Sequence, residues 1–152
     1  MQIKFDDSLV TGHELIDQQH RELLRRADVL VNSQRAAMES QSFFETLDFL
    51  RTYMVFHFSR EEELMREIGY DHLADHIRNH DDFRNAIEEI HLRVKNDGLS
   101  RAELKQVHVL VAEKFVHHIK TVDRRLALFL TQWSKKNKKP LHSSGPKSTA
   151  KE

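Results

Sequence analysis

The sequence predicts an all-α protein: an antiparallel, up-and-down four-helix bundle with an N-terminal arm and a disordered C-terminal tail. Three observations carry that expectation. Apolar residues recur at the helical period along four stretches. Ser/Thr-x-x-Glu capping boxes open three of them. Glycine and proline, four and two in 152 residues, are scarce in the interior, with Gly98 the one glycine between Asp71 and Lys139.

The elements follow in chain order. Residues 1–10 read as an extended arm. Thr11 with Glu14 forms the first capping box, and the stripe Ile16, Leu23, Leu24, Ala27, Leu30 and Val31 marks helix one. Ser42 with Glu45 opens helix two, whose stripe is Phe43, Leu47, Leu50, Met54, Phe58, Leu64 and Met65, with Gly69 as its C-terminal cap. Helix three runs from Asp71, as N-cap, to the stop Asn96-Asp97-Gly98, with Leu73, Ile77, Phe83, Ile87, Ile90 and Val94 inward. Ser100 with Glu103 opens helix four, whose stripe continues through Val107, Val111, Phe115, Ile119, Val122, Leu126, Phe129 and Trp133. Short links between amphipathic helices favour antiparallel neighbours. The expected division is a bundle domain over residues 1–134 and a basic tail over 135–152, which begins Lys135-Lys136-Asn137-Lys138-Lys139-Pro140.

Composition narrows the function. Basic and acidic residues number 24 each, so no net field recruits nucleic acid or an anionic membrane. There is no cysteine, which excludes disulfides and thiolate metal sites. No stretch reaches the roughly 18 consecutive apolar residues of a membrane span. Asp6 and Asp7 stand where a secretory signal carries an apolar run, so the expected location is cytoplasmic. The expected assembly is a monomer or weak oligomer, with the lysine-rich tail as the place where an acidic protein partner could touch.

The eleven histidines decide the argument by where they fall. His20 interrupts the apolar stripe of helix one. His57 and Glu61 fill the stripe of helix two between Met54 and Leu64. His76 and His80 fill that of helix three between Leu73 and Phe83. On helix four, His118 lies between Phe115 and Val122, and Asp123 follows five residues after His118. A buried carboxylate without a partner would take up a proton instead of staying charged. Two inward carboxylates among five inward imidazoles therefore call for a cation at their centre. The i,i+4 steps from His57 to Glu61 and from His76 to His80 bring each pair to one face, able to share an ion. The step of five from His118 to Asp123 turns about 140° on an α-helix, which suits a carboxylate reaching sideways to a different ion. His117 is the decoy, since the residue five after it is Val122. His72, His91, His108 and His142 fall off the stripes and read as solvated, and His13 and His117 lie off the ligand faces.

These residues, in this order and spacing, resemble the bacterial hemerythrins. The resemblance runs over residues 5–130 through Asp17-Gln18-Gln19-His20, His57-Phe58-Ser59-Arg60-Glu61-Glu62, Gly69-Tyr70, His76 with His80, and His118-Ile119 with Asp123. It implies reversible dioxygen binding at two irons bridged by Glu61, Asp123 and a solvent-derived oxo or hydroxo group. His76, His80 and His118 would complete one iron, and His20 and His57 the other, whose open position takes the gas. Lys114 and Phe115 stand where the family commonly has Trp-Leu, which would place Phe115 against the bound ligand. Two alternatives remain. A ferritin-like di-iron oxidase wants two Glu-x-x-His motifs, whereas Glu88–His91 is the one such motif in this chain. A sensor module acting through a partner would carry the same metal site. With no output domain attached to the chain as read, a non-enzymatic role in carriage, storage or scavenging is the expectation.

Overall fold

The computed structural model describes residues 2–32 and 40–137, all of them helical, turn or coil. Three α-helices, α1 (Glu14–Val31), α2 (Ser40–Glu67) and α3 (Leu73–Asp97), pack with a fourth, longer helix. That fourth helix is a continuous run of five segments. It is α-helical over Arg101–His108, π-helical over Val109–Phe115, α-helical over Val116–His118, π-helical again over Ile119–Asp123, and α-helical over Arg124–Asn137. Backbone angles stay right-handed helical at every junction. Helix α1 packs on α2 and on the fourth helix, and α3 does the same from the other side, which closes a ring of four. No described helix is long and apolar enough to cross a membrane.

The apolar stripes do what their spacing predicts. Leu23, Leu24, Ala27, Leu30, Phe43, Leu47, Leu50, Met54, Phe58, Ile87, Val107, Val111 and Phe115 form one buried core. A smaller cluster of Ile16, Met65, Ile68, Tyr70, Leu126 and Leu130 closes the other end. At about 1.5–3 kcal/mol for each fully buried large side chain, these two cores hold the bundle shut around the polar layer between them. Leu64, Leu73, Ile77, Val122, Phe129 and Trp133 are only half-buried, while Leu110 and Leu130 are buried in their stead on the fourth helix. On the fourth helix, where Leu130 is buried beside the half-buried Phe129, the π turns account for the shift, because each advances the inward face by about one residue.

Helix starts differ from the sequence reading in three places. Helix α1 is capped by His13, whose Nδ1 accepts from the Ile16 amide at 3.4 Å, and not by Thr11. Thr11 instead donates its amide and its hydroxyl to Asp17 Oδ1, at 2.9 and 2.7 Å, and Gly12 donates to Asp17 Oδ2 at 3.2 Å. A buried carboxylate one turn inside the helix has taken the loop's donors. Helix α2 is already helical at Ser40, so Ser42 lies inside it. Helix α3 begins one residue later than expected, with His72 in place of Asp71 as its N-cap. The box of Ser100 and Glu103 is present in full. Gly69 ends α2 with φ +66°, and the Tyr70 amide bonds back to the Met65 carbonyl at 2.9 Å, the left-handed stop that glycine accepts without strain.

The N-terminal arm is ordered where it is described. Its 3₁₀ turn, Asp7–Leu9, buries Leu9 and is clamped by Arg124, which donates to the Ser8 carbonyl at 2.6 Å. Ile3 is buried as well, and its amide donates to Asp28 Oδ1 at 2.8 Å. At the other end the helix continues past residue 134 to Asn137, and the rest of the expected tail, with His142, lies outside the described residues.

Candidate metal centre

All seven residues expected to face inward do so. His20, His57, Glu61, His76, His80, His118 and Asp123 are each at most 2% exposed, so bulk water does not solvate their charge. They form one layer across the bundle, fed by all four helices. The π-helical stretch Ile119–Asp123 is what admits Asp123. A π turn bonds to the fifth residue and turns less per residue than an α turn, so Asp123 comes round closer to His118 than the about 140° of an α-helix.

The donors divide into two groups that share both carboxylates. Ligand atoms of Glu61, His76, His80, His118 and Asp123 lie within 4.8 Å of one another, and so do those of His20, His57, Glu61 and Asp123. Each carboxylate splits its two oxygens between the groups. Glu61 Oε1 stands 3.1 Å from His57 Nε2 and 3.4 Å from His20 Nε2, while its Oε2 stands 3.1 Å from His80 Nε2 and 3.5 Å from His76 Nε2. Asp123 Oδ2 lies 3.0 Å from His20 Nε2, and its Oδ1 lies 3.1 Å from both His76 Nε2 and His118 Nε2. Asp123 thus serves its own histidine and the opposite group together, where the spacing alone suggested a sideways reach to one.

These short separations are not hydrogen bonds. All five Nε2 atoms and all four carboxylate oxygens are buried without a hydrogen-bond partner among the described residues. Buried polar atoms are rarely left so, because each costs its full desolvation. Donors about 2.1 Å from a common ion and at right angles to each other stand about 3.0 Å apart, which is the spacing found. The residues therefore fit a metal.

Electrostatics lead to the same conclusion. Burial opposes charge on His20 and His76, yet the adjacent Asp123 and Glu61 carboxylates outweigh it and raise both imidazoles to about 9. Burial likewise opposes ionisation of Glu61 and Asp123, and the surrounding histidines overcome it and hold both carboxyls well below their usual range. His57 moves the other way, because its burial outweighs Glu61. Two buried negative charges draw whatever positive charge is on offer, proton or metal ion.

Two histidines are fixed through their far nitrogens. His57 Nδ1 lies 2.8 Å from Gln19 Oε1, and His80 Nδ1 lies 2.9 Å from Glu62 Oε1. Such outer partners orient a ligand and set its tautomer. Phe58 stacks on His80 with centroids 4.1 Å apart. Phe115 is fully buried, with its ring 5.8 Å from His20, 6.3 Å from His57 and 6.2 Å from His118. Neither Gln19 nor Glu62 was singled out from the sequence, although both adjoin ligands in the quoted motifs. Their partners lie 38 and 18 residues away on other helices, and spacing along one helix cannot reveal that.

The remaining histidines fall into place with one correction. His117 and His72 are exposed and His108 is half-exposed. His91 is buried, not solvated: its Nε2 lies 3.0 Å from Asp48 Oδ1 and its ring 4.9 Å from Phe44. It follows Ile87 by four residues and precedes Val94 by three, so it sits at the edge of the stripe, where α2 covers it.

Comparison with known proteins agrees with this geometry. The hemerythrin HHE cation binding domain matches residues 11–129, which include all seven donors. The bacteriohemerythrin of Stenotrophomonas maltophilia is 32% identical over 123 residues, covering 81% of this chain and 78% of its own. That of Pseudomonas paraeruginosa is 29% identical over 119 residues, covering 78% and 75%. The myohemerythrin of Theromyzon tessulatum is 26% identical over 120 residues, covering 79% and 87%. A metal-binding layer built from four helices, inside a match that spans most of the chain, makes this protein a member of the hemerythrin family.

Proposed function

We propose that this protein binds dioxygen reversibly at a pair of non-haem irons, held by His20, His57, Glu61, His76, His80, His118 and Asp123. The observation that carries the reading is the split of both carboxylates. Each turns one oxygen toward the two-histidine group and the other toward the three-histidine group, as two ions bridged by both would require. Imidazole and carboxylate suit iron, and five neutral ligands to two charged ones keep the ferrous state within reach. Ferrous ions in such a site supply electron density that holds dioxygen as a ligand without consuming it.

The residues of the chain do the rest. The group of Glu61, His76, His80, His118 and Asp123 offers five donors, and that of His20, His57, Glu61 and Asp123 offers four. The poorer group has room for an exogenous ligand. Phe115 stands edge-on to His20 and His57, where its ring would keep water from that position. A binding role, in place of an oxidase, follows from the histidine-rich donor set, since oxygen-activating bundles of this size use more carboxylates. Absorption spectra of the reduced protein before and after air, with metal analysis, test the reading. Reversible ligand-to-metal bands at two irons per chain are expected. An irreversible change, or turnover of added reductant, would favour an oxidase.

A further inference from the structure

The two fixed histidines are fixed by different chemistry. Gln19, which faces His57, is a neutral amide. Glu62, which faces His80, is a carboxylate, and it is not alone. Arg84 Nη1 lies 2.7 Å from the same Glu62 oxygen and 3.0 Å from Asp81 Oδ1. With the Arg84 guanidinium at ion-pair distance, Glu62 stands beside a fixed cation as a carboxylate acceptor. An ionised carboxylate only accepts, so the imidazole of His80 must carry its proton on Nδ1 and donate it. Its Nε2 lone pair then points at the metal layer, 3.1 Å from Glu61 Oε2. The ring is pinned from a second side by Phe58, and the Arg84 guanidinium carbon lies 5.5 Å from the Phe58 centroid, so one cation braces both supports. Among the described residues, no such partner reaches Nδ1 of His20, His76 or His118.

We propose that Glu62, braced by Arg84, is a positioning residue that makes the three-histidine half of the centre the tighter ion site and the first to fill. A carboxylate hydrogen-bonded to the far nitrogen raises the basicity of the near one, whereas an amide fixes orientation with little added charge. Gln19 therefore orders the two-histidine half without strengthening it, which suits the half that must hold an ion and leave a position open. This inference rests on the reading of the layer as a two-metal site.

The test is a metal titration of full-length apoprotein against a competing chelator, with zinc(II) as a redox-silent ion. The wild type is expected to bind two ions in unequal steps. Glu62→Ala weakens the first step by tenfold or more, within the range of about 10–100-fold for outer partners of metal ligands, and leaves the second unchanged. Glu62→Gln, which keeps an acceptor but not the charge, falls between, and Gln19→Ala moves the second step instead. In the zinc-loaded protein the His80 Nδ1 proton gives a slowly exchanging, downfield resonance that Glu62→Gln retains and Glu62→Ala loses. A merely structural role would lower apoprotein stability and weaken both steps alike, with no such resonance pattern, and would overturn the proposal. Two ions bound by the wild type with an unmoved first step in Glu62→Ala would also overturn it, with the two-metal reading intact. Fewer than two ions bound by the wild type would defeat both.

Discussion

The two halves of the polar layer share Glu61, Asp123 and the neighbouring Phe115 ring but differ in histidine count and in the partners behind their histidines. One has three histidines, one of them tied to an ion pair that reaches the surface through Arg84. The other has two histidines and a neutral amide behind one of them, and it meets the fully buried Phe115 edge-on where His118 of the first half meets that ring near-parallel. In the proposed two-iron reading, the five-donor half would keep its ion and the four-donor half would leave a coordination position free. The lesson is that one ligand alphabet, arranged over the same four helices, yields two unlike halves through donor count and outer partners.

The largest expected effect comes from removing what the halves share. Asp123→Ala or Glu61→Ala should take the protein from two ions to almost none. His57→Ala and His118→Ala should each lose metal, beginning with the half to which they belong. Breaking a buried charge pair costs about 3–5 kcal/mol, so the carboxylate variants should also unfold at clearly lower denaturant. Metal analysis and chemical denaturation read both effects. If Asp123→Ala keeps a full ion in either half, the bridge is wrong.

Proton competition sharpens the comparison next. In the apoprotein His20 and His76, one from each half, are raised to about 9, above an unfolded value near 6.5. Their protonated forms stabilise the apoprotein fully below about pH 6.5, and that contribution is lost as pH rises through about 9. Metal requires those nitrogens bare, so binding expels their protons and affinity climbs over the same window. Thermal melts from pH 5 to 9.5 should thus show opposite slopes with and without metal in their alkaline half, and metal should leave on acidification. Parallel curves would count against a buried histidine cluster as the site.

Kinetics at Phe115 probe the proposed open position. Phe115→Leu should raise both the dioxygen dissociation rate and the rate of oxidation to the inactive ferric form, with iron content unchanged. Stopped-flow release and decay of the oxygenated spectrum measure the two. Unchanged rates with lowered stability would make the ring packing alone. The smallest effects belong to histidines outside the layer. His91→Ala should keep both ions and lose about 1 kcal/mol with its Asp48 contact, and His117→Ala should change stability by less than about 0.5 kcal/mol.

Much of this was legible in the sequence because helical period and burial are local. Most of each apolar stripe and the five histidines of the polar layer could be placed by counting residues from Ile16, Met54, Leu73 or Phe115. What escaped depends on contacts between helices or on departures from the α period. The π turn at Ile119–Asp123 realigned Asp123, and no residue type announces such a turn. Asp17 displaced the expected Thr11 cap because a carboxylate in the helix outcompeted a hydroxyl before it. His91 was covered by α2, and the Glu62–Arg84 brace joins two helices, so single-helix spacing could not expose either.

The central claim is that two ions share the Glu61 and Asp123 bridges, and Mössbauer spectroscopy of iron-loaded, air-oxidised protein tests it most directly. Two irons per chain with paired spins, seen as quadrupole doublets free of magnetic splitting at low temperature, is the predicted result. Magnetically split signals of isolated ferric ions, at one iron per chain, would contradict it.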